Sequence, residues 1–232
     1  MSYKQNTSIN MKSFYKKVSD DINLIFENPD SLDNVKNAEE IVSEMLDLII
    51  NEEFTVSSLI TILSFDYHTH THSLNVAVYA ACVGKEMGLS KSALEELGVS
   101  ALLHDLGKSR IDDAIINKDG ELTDEEFAEV QNHAFYGWLM VRDMGVTNKN
   151  ILAGIRNHHE RMDGNGYPDK LKNKEIHKYA KIIGMCDVFD ALTTRKTYKE
   201  SVSTFETLVM MKKEMSNHLD PQIINHFIRI FK

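Results

Sequence analysis

The sequence predicts an all-α fold, and three observations carry that prediction. Only three prolines and eleven glycines punctuate 232 residues, while the good helix formers Leu, Ile, Met, Glu and Lys are abundant. Apolar residues recur three and four positions apart in segment after segment. No run of alternating β-branched residues is long enough to make a sheet. A chain of this length suffices for one well-buried domain with a short appendage. The expected division is a short N-terminal helical segment over residues 1–60 and the main domain over 61–232.

The elements follow in order. Residues 1 to about 30 are mixed and polar. Asn28-Pro29-Asp30 breaks the chain before a helix capped near Ser31, along which Leu32, Val35, Val42, Met45, Leu46 and Ile49 fall at helical spacing. This stretch carries no recognisable chemistry and reads as a brace. A short helical stretch around Val56 to Leu63 leads to the histidine-rich run from Phe65 to Ser73. Beyond it His72, Val76, Tyr79, Val83 and Met87 form one stripe, so His72, ahead of His68 and His70, opens the buried face of a helix. Ser90 caps the next helix, on which Leu94, Leu97, Ala101 and His104 share a face before Gly107 ends it.

A loop to Gly120 precedes Thr123-Asp124-Glu125-Glu126, a capping box for a helix running to about Met144 with His133, Gly137, Met140 and Val141 on one side. The helix from about Asn148 turns Ile151, Leu152 and Ile155 to the core and ends in His158-His159-Glu160. Asp163-Gly164-Asn165-Gly166-Tyr167-Pro168 then makes a fixed turn. From Ala180 a further helix carries Ile183, Asp187 and Asp190 at i, i+4 and i+7, and two acids on an apolar stripe are not there for solubility. Thr194 to Lys199 is a cationic patch. Asp220-Pro221 opens a last helix with Ile223, Ile224, Phe227 and Ile228.

A net charge of −9 argues against a binder of nucleic-acid polymers, which are held chiefly by Lys and Arg. A small anionic substrate requires cations concentrated locally. Cys82 and Cys186 lie inside apolar segments without CxxC spacing, so they read as reduced core thiols and not as nucleophiles. No signal core and no membrane-spanning run is present, and a soluble, cytoplasmic protein is expected.

The chemistry centres on His104-Asp105, at the polar end of the apolar run Val99, Ala101, Leu102 and Leu103. A carboxylate carried inward this way is costly unless a cation meets it. The ends of four successive helical segments deliver His72, His104-Asp105, His133 and His158-His159, and a fifth delivers Asp187. Helical bundles build metal sites from such inward side chains. The pattern indicates a metal-dependent phosphohydrolase.

The ordered set of His72, His104-Asp105, His158-His159-Glu160, Asp163 to Pro168 and Asp187-Val188-Phe189-Asp190-Ala191-Leu192 resembles the HD-GYP family of HD-domain phosphodiesterases. The likeness runs from about residue 60 to the C-terminus. It implies a helical bundle of the HD-domain type with a centre of two or three metals in its core, and hydrolysis of cyclic di-GMP to pGpG and onward to GMP. Position by position it makes His72, His104, Asp105, His133, His158, His159 and Asp187 metal ligands, with Asp105 bridging two ions. It makes Lys108 a phosphate contact near the attacked phosphorus, and Asp190, Lys196 and Lys199 contacts to the nucleotide.

Imidazole and carboxylate donors without thiolate favour iron or manganese, with zinc and nickel as alternatives. Two such ions hold a hydroxide between them for in-line attack. His68 stands where members with a third metal carry Glu, so two ions are expected. Lys196 stands where the family tends to place Arg, so a point charge replaces a bidentate fork. Gly164 and Gly166 read as structural, Tyr167 is open to either role, and the resemblance implies that the loop they form can meet diguanylate cyclase (GGDEF) domains. Two other functions fit the same residues: a module that holds a cyclic dinucleotide or a GGDEF partner without turnover, and an enzyme for a related cyclic dinucleotide.

Overall fold

The computed structural model describes residues 16–50, 69–193 and 203–231. Among the described residues every regular element is helical: α1 (16–27), α2 (Asn34–Ile50), α3 (Thr69–Glu86), α4 (Lys91–Leu102), α5 (Asp113–Ile116), α6 (Asp124–Gln131), α7 (His133–Asp143), α8 (Lys149–Asn157), α9 (Lys178–Thr193), α10 (Thr204–Glu214) and α11 (Pro221–Arg229). Two 3₁₀ turns, Leu106–Arg110 and Asn173–Glu175, complete the set. The all-α expectation holds. The division at residue 60, the stretch Val56 to Leu63, and the residues His68, Lys196 and Lys199 lie outside the described residues.

Helix α3 is the centre of the bundle. Its residues Val76 to Val83 are buried in succession, because a helix apolar on every side needs neighbours on every side. Helices α2, α4, α9 and α11 supply them. Tyr79 of α3 meets Phe189 of α9 edge to face at 5.2 Å, and Phe189 meets Phe227 of α11 at 4.7 Å. Full burial of such a side chain contributes about 1.5–3 kcal/mol, so these three rings fasten the C-terminal helices to the centre. Helices α1 and α2 belong to the same core through Val18, Ile22, Ile25, Val42, Met45 and Leu46.

Local signals set most boundaries. Ser90 Oγ accepts from Ala93 N, Thr123 and Glu126 close a reciprocal capping box, and Asp220 caps α11 ahead of Pro221. Three expectations are corrected. Helix α2 starts at Asn34, and Leu32 is left 74% exposed instead of joining the stripe, because the chain is still turning through Ser31. The single helix expected from Thr123 to Met144 divides at Asn132 into α6 and α7. The break coincides with His133, whose ring Nδ1 bonds the carbonyl of Val130 at 2.6 Å and so competes with the helical ladder. The helix expected to end at Gly107 stops at Leu102, and a 3₁₀ turn and α5 follow where a loop was expected.

One close approach positions the site. A Cβ on Gly107 would lie 2.0 Å from the carbonyl oxygen of His133 and 2.3 Å from the amide nitrogen of Gly137. The backbone of the 3₁₀ turn therefore rests directly on α7, which brings Asp105 and Lys108 beside His133. Gly107→Ala should destabilise the fold by about 3 kcal/mol, seen as a fall of roughly 6–12 °C in calorimetric melting temperature for a chain of this size. Gly88→Ala, at φ +73° with nothing within 4 Å of the added carbon, should cost only about 1 kcal/mol. Equal effects of the two would contradict the backbone contact.

Candidate metal centre

Each predicted ligand sits at an element end or on an inward stripe. His72 lies in the first turn of α3, His104 and Asp105 join α4 to the 3₁₀ turn, His133 opens α7, His158 caps α8 with His159 following, and Asp187 sits within α9. The fold brings all of them together in two groups. Asp105, His133, His158 and His159 form one, and His72, His104 and Asp187 the other, with donor atoms in each group within 4.8 Å of one another.

Asp105 stands between the groups. Its Oδ1 lies 3.4 Å from His133 Nε2, while its Oδ2 lies 3.4 Å from His104 Nε2 and 3.6 Å from His72 Nε2. Asp187 makes a second link, with Oδ1 at 3.2 Å from His72 Nε2 and Oδ2 at 3.9 Å from His159 Nδ1. His104, Asp105, His133 and His158 form a buried floor. The side chains of His72, His159 and Asp187, 15–18% exposed, form the mouth.

Three imidazoles are aimed by one device. His104, His133 and His158 each place Nδ1 at 2.6–2.7 Å from the carbonyl three residues back, on Ala101, Val130 and Ile155. A carbonyl accepts only, so Nδ1 carries the proton and Nε2 presents a lone pair to the centre. His133 Nε2 and His158 Nε2 face each other at 3.3 Å, an arrangement in which neither is able to donate. His104 Nε2 and Asp105 Oδ1 are buried without a hydrogen-bond partner. Lone pairs and anionic oxygens converging on shared space, with buried acceptors unmet, are the donor set of a cation site. The residues fit a metal centre.

The electrostatics agree. Burial pushes His104 and His133 below the usual imidazole range, and His158 and His159 well below it, so these rings are neutral ligands. Asp105 is held well below the carboxylate range although burial alone would raise it, because the positive charges of Lys108 and His72 stand beside it. Asp187 is held down likewise, against burial, by its bond to His72. His72 differs. Burial lowers its basicity, but the bonds to Asp187 and Asp190 outweigh burial and lift it to about 10. A cation at Nε2 would take the place of that proton.

Lys108 Nζ donates to Asp105 Oδ2 at 2.5 Å, and its side chain is a third exposed, at the edge of the buried floor. The structure places Asp190 behind His72. Expected to touch a nucleotide, it is only 2% exposed, with Oδ2 at 2.8 Å from His72 Nδ1 and Oδ1 accepting from Asn75 Nδ2 at 2.9 Å. Each oxygen thus has a partner beneath His72.

Sequence reasoning passed over Asn75, Glu160 and the contact made by Tyr167. Asn75 follows His72 at i+3, the spacing that separates Asp187 from Asp190 on the facing helix, and that matched pair of spacings was the available signal. Glu160 accepts from the amides of Asp169 and Leu171 at 2.7 and 3.0 Å and pins the loop after the histidine pair. Gly166 lies so close beneath it that a Cβ would fall 2.4 Å from the α-carbon of Glu160. Tyr167 stacks on His159, centroids 4.6 Å apart at 24°.

A helical bundle with a histidine and aspartate centre at its helix ends defines the class, and comparison with known proteins agrees. The sequence model of the HD domain family matches residues 40–223, and the chain belongs to that family. It is 32% identical over 193 residues to the cyclic di-GMP phosphodiesterase PA4108 of Pseudomonas aeruginosa, an alignment spanning 83% of this chain and 46% of that protein. It is 34% identical over 203 residues to a cyclic di-GMP phosphodiesterase of Thermotoga maritima, spanning 85% and 53%. It is 34% identical over 165 residues to the 3'3'-cGAMP-specific phosphodiesterase 1 of Vibrio cholerae, spanning 69% and 37%. The chain thus spans about half the length of the first two. Bd1817 of Bdellovibrio bacteriovorus, a HDG"Y"P protein, has the same fold, with a TM-score of 0.77 and 19% identity over 94% of this chain and 70% of that one.

Asp190→Asn should weaken Mn²⁺ affinity by about 10–100-fold, the usual cost of losing a residue that orients a ligand, measured by competition with a fluorescent chelator. Unchanged Mn²⁺ affinity would return Asp190 to the nucleotide. Saturating Mn²⁺ at about 100 times its dissociation constant should stabilise chelator-stripped protein by about 2.7 kcal/mol per site, read as a rise in melting temperature.

Proposed function

We propose that the chain is a metal-dependent phosphodiesterase that linearises cyclic di-GMP to pGpG and carries it on to GMP. One observation supports this above the rest: Asp105 turns one oxygen to each ligand group while Lys108 stands at 2.5 Å from it on the accessible side. His72, His104 and Asp187 would hold one ion and His133, His158 and His159 the other, with Asp105 common to both. Iron or manganese suits this donor set, with zinc and nickel as alternatives. When bound, the ions supply an activated water and Lewis acidity toward the phosphate oxygens.

The chain's own residues do the rest. Lys108 neutralises charge that develops on the non-bridging oxygens of the attacked phosphate, an interaction strongest in the transition state. Asp190 and Asn75 keep His72 aimed. Lys196 and Lys199 hold the nucleotide in this reading, supplying positive charge that an anionic substrate needs from a protein carrying −9 overall. Residues 61–232 form the phosphohydrolase domain, braced by the N-terminal segment. Asn165 is exposed while Gly166 is buried, so the tip of the loop is what remains for a GGDEF partner. The free, buried thiols of Cys82 and Cys186 suit the reducing cytoplasm, and among the described residues no helix is long and apolar enough to cross a membrane.

A second reading is favoured by one finding, the 34% identity to a 3'3'-cGAMP-specific phosphodiesterase. It keeps the chemistry and exchanges one guanine for adenine, with Lys196 in place of Arg as the residue that would distinguish the bases. Metal-replete protein should convert cyclic di-GMP to pGpG, and Lys108→Ala should lower kcat about 10²–10³-fold with metal content unchanged. No linear product from a chain shown to carry two ions would overturn the hydrolytic assignment. Faster turnover of 3'3'-cGAMP in the same panel would select the second substrate.

A further inference from the structure

The guanidinium of Arg156 touches every segment that delivers the group of Asp105, His133, His158 and His159, except the turn of Asp105 itself. Arg156 belongs to α8, two residues before His158. Its Nε and Nη2 donate to Oδ2 and Oδ1 of Asp169, both at 2.7 Å, and Asn157 Nδ2 adds a third bond to Oδ2 at 2.8 Å. The guanidinium also lies over Phe135 at 5.1 Å and Trp138 at 4.9 Å, both on α7 just after His133. Its remaining nitrogen, Nη1, is buried without a partner, so the group is held by one carboxylate and two rings.

Asp169 in turn fixes the loop. It lies two residues after Tyr167, whose ring stacks on His159 at 4.6 Å and meets His133 edge on at 6.3 Å. Glu160 grips the loop through main-chain amides at 169 and 171, and the amide of Tyr167 donates to the carbonyl of His159 at 3.4 Å. The bidentate pair adds a directional hold on the side chain of Asp169.

We propose that Arg156 and Asp169 are positioning residues for the metal group of His133, His158 and His159: the clamp presses Tyr167 onto His159 and fixes α7 against α8. This rests on the metal-centre reading of the proposed function. It concerns the half of the centre to which the hydrogen bonds and ring contacts of Arg156 and Asp169 run, through α7, α8 and the loop after Glu160.

The test is equilibrium dialysis against Mn²⁺ with bound metal counted by elemental analysis, on full-length chains shown to be folded by circular dichroism. In a His72→Ala background, which cripples the other half, Asp169→Asn and Arg156→Lys should each weaken the remaining ion about tenfold. The double substitution should be no worse than Arg156→Lys alone, since that change already removes the contact that Asp169→Asn breaks. In a His159→Ala background Asp169→Asn should change nothing. Equal losses in both backgrounds would mark a general loosening of the fold and overturn the inference, as would unchanged affinity in both. A parent chain that takes up no Mn²⁺ would overturn the proposed function and this inference with it, whereas intact metal binding indifferent to Asp169 overturns the inference alone.

Discussion

Two ionised carboxylates held among neutral imidazoles, in space that burial has largely closed to water, are the condition on which the rest of this structure depends. Asp105 and Asp187 are kept charged by their neighbours, while His104, His133, His158 and His159 are kept neutral by burial. Each of three rings spends one nitrogen on a carbonyl a turn earlier and leaves the other facing inward. In a closed core such an arrangement is unfavourable by itself, since buried acceptors such as His104 Nε2 and Asp105 Oδ1 lack donors. It becomes favourable with a cation, and the helices around it are shaped to hold the donors still until one arrives.

That shaping explains why the ligands sit at helix ends. The terminal turn of a helix has carbonyls without intrahelical partners, and a histidine placed there satisfies one of them while fixing its own tautomer. His133 does this for the last turn of α6 and His158 for the last turn of α8. The interrupted ladder at Asn132 is the cost of that placement, and the carbonyl of Val130 is where it is recovered.

Much of this was legible in the chain itself. Helical stripes, the caps at Ser90, Thr123 and Asp220, and the convergence of seven candidate ligands required only periodicity and the types of residue at segment ends. The resemblance to HD-GYP proteins added which positions to join. What escaped was geometry that periodicity does not encode. Asp190 shares the stripe of Asp187, so the sequence cannot say that one carboxylate faces the centre and the other faces the back of His72. The division at Asn132 was hidden because Asn and His are tolerated inside helices and the break depends on a ring reaching back to a carbonyl. Leu32 looked like the first rung of a stripe, but an apolar residue one turn too early lies outside its helix. Glu160 was visible beside the histidine pair, yet its role depends on amides nine and eleven residues further on.

The contact between Gly107 and α7 reaches beyond stability. It works as a ruler, setting the separation of the Asp105 turn from His133 by letting two main chains touch with no side chain between them. The ruler is lopsided: a methyl on Gly107 would meet main-chain atoms at 2.0 Å, whereas one on Gly137 would find its nearest neighbour at 3.2 Å. A side chain at position 137 would need the facing backbone to yield by a few tenths of an ångström, whereas one at position 107 would force the two main chains apart and re-space the ligands they carry.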